Sequence, residues 1–156
     1  MANHFIAVVG KRKSGKTHAL NKFIEETKGV YFSERIKAIC SFNQRTIFVI
    51  TSSPQERSSI KNNRRTSVVL KEDLAFFEKL ATEHKIRDYV ILMPFSILSN
   101  RRSNEVWDEP AQIIEQNYTL HRIDNPHNGE DTITVEHLNQ KVKETVQKIK
   151  SLILQF

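Results

Sequence analysis

Apolar and polar positions fall in blocks along this chain, and block length separates strands from helices. Phe5-Ile6-Ala7-Val8-Val9, Thr46-Ile47-Phe48-Val49-Ile50-Thr51 and Tyr89-Val90-Ile91-Leu92-Met93 are continuous apolar runs of strand length, as strands buried on both faces require. Val30-Tyr31-Phe32 and Tyr118-Thr119-Leu120-His121-Arg122-Ile123 read as two further strands. Helical spacing appears in between. Leu20, Phe23 and Ile24 share one stripe over Lys16 to Thr27, with Gly29 placed to cap its end. Ser33 as N-cap followed by Glu34 to Cys40 predicts a short second helix. Ser52-Ser53-Pro54 stops the third strand, and a polar, basic connection runs from Gln55 to Ser67. Val68-Val69-Leu70 fits a small strand or a helix lead-in. Leu74, Phe77, Leu80 and Ala81 then recur at helical spacing through His84, with Glu72 and Asp73 in the first turn. Pro94 is expected to end the fourth strand, and Phe95 to Glu109 reads as irregular. Pro110 to Gln116 predicts a helix with proline at its first position. Asp124 to Gly129 is a dense turn signal, and Val135, Leu138, Val142, Val146, Ile149, Leu152 and Ile153 form the stripe of a closing helix over Thr134 to Leu154. Five strands alternating with four or five helices predict a three-layer α/β fold, mainly parallel, in one domain spanning 1–156.

One polar block carries chemistry. Gly10-Lys11-Arg12-Lys13-Ser14-Gly15-Lys16-Thr17 reads G-x-x-x-x-G-K-T between a strand and a helix, the context that a phosphate-binding loop needs. Gly10 and Gly15 let the backbone close around an anion. Successive N–H groups, down to that of His18 in the first helical turn, then point at phosphate oxygens, aided by the helix N-terminus. Lys16 is the candidate catalytic cation for the outer phosphates, and the Thr17 hydroxyl the candidate Mg²⁺ ligand. In an open parallel sheet, ligands bind at the carboxyl ends of strands, so the segments after Phe32, Thr51 and Met93 are expected to face this loop.

Composition narrows the classes. The net charge of +6, from 24 Lys and Arg against 18 Asp and Glu, suits a polyphosphate ligand and leaves nucleic acid open. The aromatic share of 8% sits inside apolar runs and not among basic residues, which argues against a base-stacking platform. No run has the length of a membrane span, the first apolar run is too short for a secretory signal, and Cys40 is the only cysteine. The expectation is a cytoplasmic protein without internal disulfides.

The loop's basic interior adds a resemblance. Gly10-Lys11-Arg12-Lys13-Ser14-Gly15-Lys16 is similar to the G-K-[RK]-[RK]-S-G-K loop of a small group in the P-loop kinase superfamily, the phage deoxynucleoside monophosphate kinases and the animal-type phosphomevalonate kinases. Tyr31-Phe32-Ser33-Glu34-Arg35-Ile36-Lys37 looks like the group's apolar-Lys step, with Lys37 on its lysine. Ile123-Asp124-Asn125 before the closing helix resembles its Ile-x-Asn tail. The likeness covers roughly the first third and last quarter of the chain, and the loop is its specific part. It implies a P-loop NTPase fold with a mainly parallel five-stranded sheet. It also implies ATP and Mg²⁺ as cofactors, and phosphoryl transfer to a small phosphorylated acceptor, a nucleoside monophosphate or similar, held near Lys37. The chain departs from the group at Thr17, where the group has Asp, and at Thr51-Ser52-Ser53, where it has Asp-x-Arg. It also lacks most of the group's middle helical region.

Other residues complete the candidate set. Arg101 and Arg102, in a possible lid over 95–109, are candidate phosphate clamps, and Arg64 and Arg65 form a competing pair. Glu34 and Glu56 are the acids nearest the strand ends in sequence. The six histidines show no metal spacing, Cys40 reads as a packed apolar residue, and Trp107 caps either the core or a site. Two rival readings stand beside the kinase. One is a P-loop ATPase acting as a switch or assembly factor. The other, not favoured, is a nucleic-acid-associated ATPase using the basic connection from Arg57 to Arg65.

Overall fold

The computed structural model describes residues 3–10, 15–32, 37–54, 65–96, 103–124 and 134–156, with the backbone course alone for 103–106. The elements are β1 (Asn3–Gly10), α1 (Lys16–Glu26), β2 (Val30–Tyr31), β3 (Ala38–Phe42), β4 (Arg45–Val49), α2 (Thr66–Glu83), β5 (Tyr89–Ser96), α3 (Ser103–Glu115), β6 (Tyr118–Asp124) and α4 (Val135–Gln155). They form one six-stranded mixed sheet in the order β2-β3-β4-β5-β1-β6, with helices on both faces. β4, β5, β1 and β6 run parallel, while β3 is antiparallel to both β4 and β2.

This corrects the expectation of five mainly parallel strands, and the sixth strand comes from a predicted helix. Ala38 to Cys40 belong to β3, whereas residues 33–36 lie outside the described residues. Asn43 and Gln44 both take positive φ, 52° and 62°, between the paired residues Phe42 and Arg45. That is the two-residue hairpin turn whose twist matches the strands it joins. Hairpin pairing with β4 thus overrides a weak helical pattern. Ala38 and Cys40 are buried on one face, and Ile39 packs on the other.

β1 supplies Phe5, Ala7 and Val9 to one face and Ile6 and Val8 to the other. The first face is covered by Leu70, Leu74 and Phe77 of α2 and by Trp107, Ala111 and Ile114 of α3. The second is covered by Ala19, Leu20 and Phe23 of α1 and by Val146, Ile149 and Ile153 of α4. Strands enclosed on both sides need apolar residues at every position, as the continuous runs already implied.

Three local details differ from expectation. Val68 to Leu70 lie in α2, not in a strand. α3 begins at Ser103, so Pro110 sits inside the helix and residues 103–109 are helical. Pro94 does not end β5, which continues to Ser96 with Val8 opposite Pro94. The Ile50 N–H donates to the Leu92 carbonyl at 3.0 Å. Sides alternate along a strand, so Pro94 turns its donorless nitrogen toward β4. It therefore ends the ladder of its neighbour, and β4 stops at Val49.

The exit from α1 also refines the reading of Gly29. Gly29 N–H bonds the Ile24 carbonyl at 2.8 Å and Lys28 N–H bonds that of Glu25 at 3.2 Å, with Lys28 at φ 54°. In this closure the left-handed residue is Lys28. Gly29 is required for space instead, because a Cβ there would lie 2.6 Å from the Cys40 sulfur.

Candidate functional site

Parallel strands put their carboxyl ends on one edge of the sheet, and the glycine loop leaves β1 at that edge. β1 lies between β5 and β6, so the chain crosses over it in passing from one to the other. Such reversals open the crevice that ligands use in α/β sheets. Gly10 is the last residue of β1, and Gly15 precedes α1 in the left-handed conformation, φ 87°. A side chain at that φ is strained, which explains glycine there. Lys11, Arg12, Lys13 and Ser14 lie outside the described residues.

Lys16 is 6% exposed, and its ammonium donates to the Gly10 carbonyl across the loop at 3.0 Å. This contact holds a cation at the loop mouth. Thr17 is exposed, and its hydroxyl donates to the Thr51 carbonyl at 3.2 Å, just past β4. A hydroxyl has one proton and two lone pairs. With the proton committed to Thr51, both lone pairs of Thr17 remain for a cation, so the residue fits a hard, oxygen-seeking ion such as Mg²⁺. His18 follows on the exposed side of the first turn.

Register finds neighbours that linear reading misses. Ser96 sits beside Gly10, and Asp124 beside Val9. β1 is thus flanked at the loop by a hydroxyl on one side and a carboxylate on the other. Asp124 Oδ1 accepts from Arg122 Nη2 at 2.7 Å and Nε at 2.8 Å. The Arg122 guanidinium also lies over the Trp107 ring, 5.2 Å from its centroid, and Trp107 stands edge-on to Phe95. Trp107 therefore caps the core below the strand ends, within α3. Alternation alone does not mark Asp124, because its role depends on which strand pairs with β1. Asp73, read in sequence as a first-turn acid, is instead buried within α2.

Lys37 stands at the carboxyl edge just before β3, its ammonium 5.5 Å from the Tyr31 ring centroid. Three strand spacings separate β3 from β1, about 14 Å. Arg101, Arg102, Glu34, Glu56 and Arg64 lie outside the described residues, and Arg65 is exposed at the N-terminus of α2. The candidate lid over 95–109 divides: Phe95 and Ser96 belong to β5, and 103–109 to α3. Of the basic connection from Arg57 to Arg65, only Arg65 is described.

No group of three or more His, Cys, Asp or Glu is arranged to hold a metal among the described residues. His4 Nδ1 and His121 Nε2 bond each other at 3.0 Å, and His4 stacks on Phe156 with centroids 3.8 Å apart. Burial lowers the pKa of both imidazoles, and the neighbouring His121 and Arg45 lower that of His4 further. Cys40 is buried, and burial pushes its thiol upward, away from nucleophile behaviour. No helix among the described residues is long and apolar enough to cross a membrane. Comparisons with protein-family models, curated proteins and solved structures find no match to this chain.

Proposed function

We propose that this chain has a P-loop NTPase fold, with an antiparallel hairpin added to the parallel core, and that it is a kinase. It binds ATP with Mg²⁺ at Gly10–Thr17 and transfers the terminal phosphoryl group to a small phosphorylated acceptor such as a nucleoside monophosphate. The observation that carries the reading is the Lys16 ammonium, withdrawn from solvent and held at the loop mouth by the Gly10 carbonyl. Such transfer depends mainly on positioning and on stabilising charge over the phosphoryl oxygens. Lys16 supplies that charge, and the backbone N–H groups at the N-terminus of α1, from Gly15 on, orient the phosphate chain. Thr17 would hold the metal, whose chemistry is to neutralise phosphate charge. Asp124, beside Val9, adds an acid at the loop's flank that can order water around the ion. Lys37, on the same edge of the sheet, faces the acceptor's own phosphate. Arg101 and Arg102 are the proposed clamps on the transferring group.

The switch reading has one specific support. The Thr17 hydroxyl ties the start of α1 to the end of β4, so a change at the phosphates reaches the connection that follows Thr51. One experiment separates the two readings. Mg-ATP binding is measured by calorimetry, and turnover is then screened with nucleoside monophosphates and phosphomevalonate as acceptors. Transfer to an acceptor supports the kinase. Binding with slow hydrolysis and no transfer supports the switch. No binding of any nucleoside triphosphate overturns both.

A further inference from the structure

At the amino edge of the sheet, the end opposite the glycine loop, three neighbouring strands bring Tyr89, Asn3 and Tyr118 into one row. Asn3 pairs with Tyr118 directly, and the register of β1 with β5 sets Tyr89 on its other side. The two phenol oxygens are 2.8 Å apart, and Asn3 Oδ1 accepts from the Tyr89 N–H at 3.2 Å. Both rings are more than nine-tenths buried. Two hydroxyls hold two protons and share one hydrogen bond, so the pair has a second O–H to offer. This row belongs to the lining of a cavity of about 480 Å³ between α2 and α3. The space exists because α2 presents Ala75 and Ala81 to it, while Leu74, Ile86 and Ile113 supply apolar wall.

We propose that this cavity is a second binding site, for a small neutral heterocycle of nucleoside size. The volume lies in the range of small-molecule sites. The row on the strands carries no formal charge and mixes donors with acceptors, which suits a heterocycle edge, while the charged residues of the lining, Lys71, Glu78 and Arg87, are exposed. Asn3, Gln116 and Asn117 contribute planar carboxamides, the groups that pair bidentately with base edges. Glu78 and Thr82 on the α2 wall are acceptors for sugar hydroxyls, since the Thr82 hydroxyl spends its own proton on the Glu78 carbonyl at 2.8 Å. The site is separate from the phosphate loop. Asn3 and Gly10 stand at opposite ends of β1, about 23 Å apart at the rise of an extended strand.

The test is a titration of the full chain with adenosine, and separately with uridine, followed by amide shifts in a ¹⁵N-labelled sample. The expected result is saturable shifts at Ala81, Thr82, Ile86 and Asn117 with at least one nucleoside. Ala75→Phe, at an exposed lining position, should abolish them by filling the mouth. Tyr118→Phe keeps the ring, removes the hydroxyl and should weaken binding about fivefold, one hydrogen bond's worth. Lys16→Met should leave these shifts intact, which keeps the result independent of the loop. The proposal is overturned if neither nucleoside gives saturable shifts at the cavity, if shifts are confined to Gly15–Lys22, or if they survive both cavity variants.

Discussion

Lys16→Met separates what the loop does for the fold from what it does for a ligand. Methionine keeps an unbranched stem of similar length and removes the ammonium. That ammonium is 6% exposed, and the Gly10 carbonyl is one of its partners. A charge withdrawn from water is costly, and that cost offsets what its hydrogen bonds contribute to the fold. The ligand-free melting temperature should therefore stay within about 2–4 °C of the parent, the span of roughly 1 kcal/mol in a chain of this size, or rise. Binding should respond in the opposite direction. A hydrogen bond to a charged group contributes about 1.5–3 kcal/mol, so ATP affinity should fall roughly 10- to 150-fold. The same number is readable by thermal shift. At a concentration of about 100 Kd, ATP stabilises the parent by about 2.7 kcal/mol. After a thirtyfold loss the same concentration is only about three times Kd, and stabilisation falls to about 0.8 kcal/mol. Differential scanning fluorimetry with and without Mg-ATP supplies both readouts. A variant that melts far lower without ligand, or that keeps the full ATP-dependent shift, would refute the role assigned to Lys16.

Further substitutions test the surroundings. Thr17→Val keeps the shape and removes the hydroxyl, so ATP should still bind while the enhancement by Mg²⁺ is lost; equal enhancement in calorimetry would exclude Thr17 as the ion's ligand. Gly29→Ala should destabilise by about 1–3 kcal/mol in urea unfolding, because the new methyl meets the buried Cys40 sulfur. Cys40→Ala should restore part of that loss, and strict additivity of the two changes would contradict the clash. The His4–His121 pair predicts acid sensitivity. Both pKa values lie below the ordinary 6.5 in the folded chain, so the unfolded chain binds more protons as pH falls through that value. Stability is full above 6.5 and declines from there toward the lower folded values. Arg45 opposes protonation of His4 and Asp88 favours it, so the net direction is one that calorimetry can read. His4→Gln with His121→Gln should flatten melting temperature between pH 7 and 5.5; an unchanged slope would count against the pair.

Much of this architecture is carried by local patterns. β1, β4 and β5 are legible because a strand covered on both faces must be apolar throughout. α1 and α4 are legible because their stripes recur at helical spacing. The β3–β4 hairpin was hidden because its turn places Gln44, not glycine, at positive φ. Pro94 misled because the strand that loses a hydrogen bond is the neighbour, which no single stretch of sequence reveals. α3 was half missed because Ser103-Asn104-Glu105 opens it with residues typical of loops. In the candidate site, the loop was legible because its residues are contiguous. That the strand ends at Thr51 and beyond Met93 face the loop was legible from the α/β order, and the Thr17–Thr51 bond and the Gly10–Ser96 pairing agree with it. The individual contacts, and the place of Asp124 beside Val9, were not, since they depend on register that emerges only when distant segments pair.

The central place of β1 also sets when the site can come into being. Its two neighbours are β5 and β6, and the Tyr89–Asn3 hydrogen bond already spans 86 residues. On a ribosome making about 5–20 residues per second, β1 waits on the order of 4–17 s for its first partner. Until then its apolar run has no sheet to join, whereas the β3–β4 hairpin can close locally as it emerges. Under the proposed function, ATP would therefore reward only a chain whose β1 is already paired and could not guide its earliest steps, and in those seconds the strand that carries the loop depends on whatever shelters unpaired apolar segments.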